Sequence, residues 1–242
     1  ATVVSAVEEG RRIYDNILKA IQFLLSSNVG EIITLFVAIL ITPLLAKWFG
    51  ISNISGLEPL LPIHILWINL VTDSLPALAL AVDPAARDVM NRKPIKPGKG
   101  IFTKGMTLRI IYQGLMIGII TLSAFSIGLS TPNVDEVEKI KIGQTMAFCV
   151  LALSQLVHIY NVRDNKKSIF KTGIFNNKML ILATLVSSAF MFIILFIPVL
   201  REIFGLAVLP TMHIVETIIL VFMPILIVEI VKLLKLNTTK DE

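Results

Sequence analysis

The apolar residues of this 242-residue chain fall into six blocks of membrane length, at about 20–46, 64–82, 110–129, 142–160, 179–200 and 206–228. A helix rises 1.5 Å per residue, so about 20 residues cross a hydrocarbon core of about 30 Å. Lipid offers backbone groups no hydrogen bonds, which leaves helices and closed barrels as the only spanning structures. These blocks are too long and too little alternating for barrel strands. The expectation is an all-α, polytopic transmembrane helical bundle of six spans. Composition agrees: 55% of residues are hydrophobic and only 16% charged, against about 25% charged in soluble domains. The lone cysteine, Cys149, lies inside an apolar block and has no intramolecular disulfide partner. The first residues read as a charged amphipathic lead-in rather than a signal peptide.

Lys and Arg set the expected orientation. Arg11, Arg12 and Lys19 precede the first span. Arg87, Arg92, Lys93, Lys96, Lys99, Lys104 and Arg109 stand between the second and third. Arg163, Lys166, Lys167, Lys171 and Lys178 separate the fourth from the fifth, and Lys232, Lys235 and Lys240 end the chain. The other side holds only Lys47, Lys139, Lys141 and Arg201. The positive-inside rule then places both termini in the cytoplasm. The net charge of +5 is read as a topology signal, and no nucleic-acid partner is expected. The expected division is a cytoplasmic lead-in at 1–19, the membrane domain at 20–235 and a cytoplasmic tail at 236–242. The basic, Pro- and Gly-rich stretch 83–105 is a surface loop on the same side.

Two carboxylates interrupt the apolar pattern. Glu31 sits in the first span and Asp73 in the second. A mid-membrane carboxylate is disfavoured by roughly 2.5–3.5 kcal/mol on insertion scales, so it usually has a task and a partner. Asn28 shares a helical face with Glu31, and Asn69 and Thr72 share one with Asp73. Carboxylates, amides and a hydroxyl together form a hard-oxygen donor set suited to calcium, which takes six to eight oxygens in irregular geometry. No cluster of Cys or His suggests zinc or a softer metal. Pro76 removes a backbone donor and crowds the Thr72 carbonyl, so the second span is expected to unwind near its middle. The competing reading for Glu31 alone is a protonated group hydrogen-bonded between helices. For Asn28 alone it is interhelical hydrogen bonding. His64, His158 and His213 read as structural.

Three segments carry a resemblance. They are Val7-Glu8-Glu9-Gly10-Arg11-Arg12-Ile13-Tyr14-Asp15-Asn16, Ser26-Ser27-Asn28-Val29-Gly30-Glu31 and Leu66-Trp67-Ile68-Asn69-Leu70-Val71-Thr72-Asp73-Ser74-Leu75-Pro76. They closely resemble the P-type calcium-transporting ATPases of the sarco/endoplasmic-reticulum-like branch, with this chain matching the carboxy-terminal membrane half, spans five to ten. The resemblance implies that Asn28, Glu31, Thr72 and Asp73 ligate one calcium ion, and that Asn69 and Asp73 ligate a second. A further family ligand, a Glu, is matched here by Gln155, which keeps an oxygen donor but removes a charge. It also implies that residues 1–19 are a cytoplasmic stalk helix from the end of the phosphorylation domain, with ATP and Mg2+ chemistry in cytoplasmic domains and calcium leaving the cytoplasm in exchange for protons.

The sequence contains no Asp-Lys-Thr-Gly-Thr phosphorylation motif; Phe170 stands where the aspartate would precede Lys171, Thr172 and Gly173. No Thr-Gly-Glu motif and no nucleotide-binding domain are present either. The chain is therefore expected to be a fragment inactive alone, with the lipid bilayer and the amino-terminal part of the same pump as its partners. The membrane would be the plasma membrane in a bacterium, or an internal one in a eukaryote. A self-contained cation channel or secondary exchanger, and a pump for Mn2+, stay open at this point.

Overall fold

The computed structural model describes residues 2–52, 54, 56–85, 89–91 and 100–234. The expected tail 236–242, and Arg87, Arg92, Lys93, Lys96, Lys99, Lys235 and Lys240, lie outside the described residues. The elements are α1 (Thr2–Phe49), α2 (Pro62–Trp67), a π-helical turn (Ile68–Thr72), α3 (Ser74–Ala81), α4 (Lys104–Leu129), α5 (Glu136–Val162), α6 (Ile169–Thr172), a 3-10 turn (Ile174–Asn176), α7 (Lys178–Phe196), α8 (Pro198–Ile203) and α9 (Thr211–Leu233). Among the described residues the fold is all-helical, with six segments long and apolar enough to cross a membrane. α2, the π turn and α3 together make one of them, Pro62–Ala81.

α5 is the axis of the bundle. It packs against α4 and α9 and touches α1, α7 and the π turn, and 89% of its apolar window is buried. α7 and α9 lie at the periphery, with 28% and 22% of theirs buried. Their outer faces carry bare Leu, Ile and Phe side chains such as Leu182, Leu185, Ile219 and Phe222. Such exposure is expected where the solvent is lipid.

Small residues set the spacing of α1, α4 and α5. A methyl group on Gly30 or Gly118 would approach the Cγ2 of Ile117 or Ile33 to 2.8 Å, and one on Gly114 would collide with Val29. Gly114 and Gly118 thus give α4 a small-residue stripe against which α1 packs backbone to backbone. The same contact fixes the stretch of α1 that carries Glu31.

The second span breaks where proline forces it to. Pro76 has no N–H to offer Thr72, and its ring crowds that carbonyl. The chain widens into a π turn, closed by Asp73 N–H donating to Ile68 O at 2.9 Å, and α3 restarts at Ser74. Pro76 then falls in the first turn of α3, where its missing donor costs nothing. Ser74 Oγ donates to Asn69 O at 3.0 Å, and Ser187 Oγ of α7 reaches the carbonyls of Val71 at 3.3 Å and Thr72 at 3.5 Å.

One end of the bundle is tied by a buried ionic cluster. Asp83 accepts from Lys19 of α1 at 2.9 Å, Arg163 after α5 at 3.0 Å and Asn177 before α7 at 3.0 Å. Asn16 Nδ2 donates to the Asp83 carbonyl at 2.7 Å. Arg163 also donates to Gly173 O at 2.8 Å. At the opposite end His64 locks α2 to the loop before α9. Its Nδ1 accepts from Leu61 N–H at 3.2 Å, and its Nε2–H donates to Phe204 O at 2.8 Å.

Candidate cation site

Glu31 lies on the buried face of α1 in mid-helix, 5% exposed, and its Oε2 accepts from Asn69 Nδ2 at 2.8 Å. That bond joins the first span to the π turn of the second. Asp73 follows directly after the π turn and is fully buried. Its carboxylate lies within electrostatic reach of Glu31 and beside Ser27. Asn69 also donates to Ile65 O at 3.1 Å, so both amide hydrogens are engaged and its oxygen is left as an acceptor. Glu31, Asn69 and Asp73 are therefore brought together, with Thr72 next to Asp73 in the chain. Asn28 is half-buried, one turn before Glu31.

Gln155 is fully buried in α5, the helix that touches both α1 and the π turn. It makes no hydrogen bond to either carboxylate. Ser27 was not among the residues expected from sequence. The signal was present, since it stands four residues before Glu31 on the same helical face.

Buried oxygens without a protein partner concentrate here. Among the described residues, Glu31 Oε1, both Asp73 carboxylate oxygens, Thr72 Oγ1, Ser27 Oγ and Gln155 Oε1 meet no partner in hydrogen-bond geometry, although the Ser27 hydroxyl stands beside the Asp73 carboxylate. An unsatisfied buried polar atom costs about 1–3 kcal/mol, and more when charged. No Lys or Arg occurs between Lys19 and Lys47 on α1, or anywhere in 62–81. Two carboxylates within electrostatic reach of each other in a buried place need a counter-charge, either a cation or protons. The donors are all hard oxygens, which fits calcium or a similar divalent ion and disfavours soft metals.

A family model described as cation transporting ATPase, C-terminus, matches residues 57–234. The chain is 44% identical over 249 residues to calcium-transporting ATPase 1 of Bacillus cereus, an alignment that covers 98% of this chain and 26% of that protein. It is 42% identical over 205 residues to a calcium-transporting ATPase of Bacillus subtilis, covering 84% of this chain and 21% of that one. The endoplasmic reticulum calcium ATPase srcA of Aspergillus fumigatus is 29% identical over 232 residues, covering 85% and 23%. The chain spans about a quarter or less of the length of these relatives. With six membrane-length helices and this match across most of its length, the chain is an integral membrane protein belonging to the P-type cation-transporting ATPases, of which it represents the carboxy-terminal membrane part.

Proposed function

We propose that this chain is the ion-binding membrane half of an ATP-driven calcium pump. Asn28, Glu31, Asn69, Thr72 and Asp73, with Gln155 as a neutral donor from α5, coordinate calcium in mid-membrane for export from the cytoplasm. The observation that carries this reading is the cluster of buried, unpartnered oxygens around Glu31 and Asp73. Ser27, beside Asp73, joins the set. The names of the relatives favour calcium, and a Mn2+ titration beside the calcium one measures the preference.

The basic end of the bundle is the cytoplasmic end, with both termini there. ATP and Mg2+ act in the further segments that the longer relatives possess. α1 is the mechanical link: one unbroken helix of 48 residues, about 72 Å long at the standard rise, joins residues 1–19 to Glu31. Movement of the stalk shifts Glu31 against Asp73, which sits on a different span and beyond a π turn. A hinge of that kind changes the spacing of two carboxylates, and with it the affinity for an ion held between them.

The test is phosphorylation from ATP in the complete pump, with calcium titrated. Calcium-dependent phosphoenzyme that weakens in both Glu31→Gln and Asp73→Asn supports the reading. Wild-type calcium dependence in both variants contradicts it. Orientation is tested separately by labelling single cysteines at Asp135 and Lys167 in a Cys149→Ser background. Labelling from opposite faces of the membrane supports the topology, and labelling from one face refutes it.

A further inference from the structure

α7 and α9 both rest on α5, and a groove remains between them. Its floor is Leu156 and Tyr160 of α5. One wall is Leu185 and Phe192 of α7, and the other is Ile218 and Phe222 of α9. The groove encloses about 330 Å³, within the range of sites that hold small molecules. Its lining is mostly Leu, Ile, Val and Phe. The polar groups towards the basic end, Tyr160 OH and Thr184 Oγ1, satisfy each other at 2.9 Å. An occupant is therefore a hydrocarbon rather than an aqueous solute.

Helical spacing sets a cation over one end of the groove. Lys178 opens α7 and is exposed, and it stands seven residues before Leu185 and fourteen before Phe192, so the three share one face. Lys178 to Phe192 covers about 21 Å of helix. One leaflet of a bilayer is about 20–22 Å thick with its headgroups, so groove and lysine together match the length of one phospholipid. The segment joining α5 to α7 adds the exposed Lys167 and Lys171 at the same end. Among the described residues, Lys167, Lys171 and Lys178 make no ion pair. Phe170 and Phe175 of that segment are 74% and 79% exposed. Bare rings beside lysines at the end of a membrane helix suit a surface that meets lipid headgroups. The segment itself is tied down, with Ile169 buried and its N–H donating to Glu229 Oε1 at 3.1 Å. The acids nearby are already engaged. Glu229 also accepts from Lys232 at 3.4 Å, and Asp164 Oδ1 accepts from the N–H groups of Lys166 and Lys167 at 2.9 Å each.

We propose that the groove between α7 and α9 binds one anionic phospholipid of the leaflet at the basic end. An acyl chain lies between the two helices on α5, and the phosphate sits at Lys178 with Lys167 and Lys171 around it. The groove's dimensions favour a chain over a partner helix. Spread over the roughly 12 Å from Thr184 to Phe192, its volume gives a cross-section of about 28 Å². A helix about 10 Å across needs nearly three times that and would rest on the rims. A lipid so placed bridges the two peripheral helices and fastens both to α5. The site is separate from Glu31 and Asp73 and stands or falls without them.

The test uses the complete pump, purified in detergent and stripped of lipid. It is titrated with 1-palmitoyl-2-oleoyl phosphatidylglycerol or the matching phosphatidylcholine, and retained lipid is counted by native mass spectrometry. Phosphatidylglycerol is expected to bind about fivefold more tightly than phosphatidylcholine. Lys178→Gln is expected to abolish that preference. Ser188→Trp, which fills the groove from its α7 wall, is expected to retain one lipid fewer. Equal binding of the two lipids by wild type, or wild-type retention in both variants, overturns the proposal. A second measurement needs no variant: the wild-type pump is photolabelled with phosphatidylglycerol carrying a diazirine on its acyl chain. Labelling of Leu185, Phe192, Ile218 and Phe222 is expected to fall when unlabelled phosphatidylglycerol is added, and to persist with phosphatidylcholine. Labelling that both lipids dilute equally, and to the same degree as at Leu182 and Ile219, means bulk lipid only and contradicts the proposal. Groove residues left unlabelled, as under a second copy of the pump or the helix of another protein, contradict it too.

Discussion

Asp73 and Asp83 stand ten residues apart, both buried, at opposite ends of α3. Asp83 is surrounded by partners: Lys19, Arg163 and Asn177 all reach its carboxylate, and they come from three different parts of the chain. Asp73 has no cationic partner among the described residues, only the Ser27 hydroxyl beside it and a second acidic group, Glu31, within electrostatic reach. A carboxylate that the protein satisfies holds elements together. One that it leaves unsatisfied, at the cost of stability, is available to something the protein does not itself provide.

That contrast predicts a double dissociation. Asp73→Asn is expected to have the largest functional effect: apparent calcium affinity in the complete pump falls at least about a hundredfold, or roughly 2.7 kcal/mol. Its melting temperature in detergent is expected to hold or rise, because a like charge beside Glu31 is removed. Asp83→Asn leaves Arg163 buried against a neutral partner and is expected to cost about 3–5 kcal/mol of stability. Thermal unfolding in detergent reads this directly, and the protein that remains folded should keep its calcium affinity. A calcium defect in Asp83→Asn at unchanged stability would break the comparison.

Glu31→Gln keeps the shape of the side chain and removes one charge. It is expected to weaken half-saturating calcium about tenfold, because carboxylate charge sets the affinity of oxygen sites. Gln155→Ala comes last, with an expected loss of about two- to threefold, since a neutral donor is replaced by water at little cost. Both are read from the same titration of phosphoenzyme.

Much of the site was legible because its signals are local. Asn69, Thr72 and Asp73 lie within five residues, and helical spacing alone puts them on one face. Pro76 announced a break in the second span, although the sequence did not tell that the break would be a π turn whose carbonyls are partly taken by Ser187. Ser27 is hard to single out by sequence, because a serine in a transmembrane helix is common and usually bonds its own backbone, as Ser26 does with Phe23 O at 2.9 Å.

The Asp83 cluster was not legible at all. Its partners lie 64, 80 and 94 residues away, and no periodicity links positions at such separations. The complete burial of three polar side chains on α5 is illegible for another reason. Gln155, His158 and Asn161 stand among apolar neighbours, and only burial and the lack of partners set them apart from ordinary packing residues.

The carboxylate of Asp73, which no cation of the described residues balances, is proposed as a cation ligand. Equilibrium binding of radioactive calcium to the complete pump tests it most directly, with wild type, Asp73→Asn and Asp83→Asn compared per mole of folded protein. The account predicts saturable binding in wild type and Asp83→Asn, and its loss in Asp73→Asn. Wild-type binding by folded Asp73→Asn would contradict it and make Asp73 a protonated structural group.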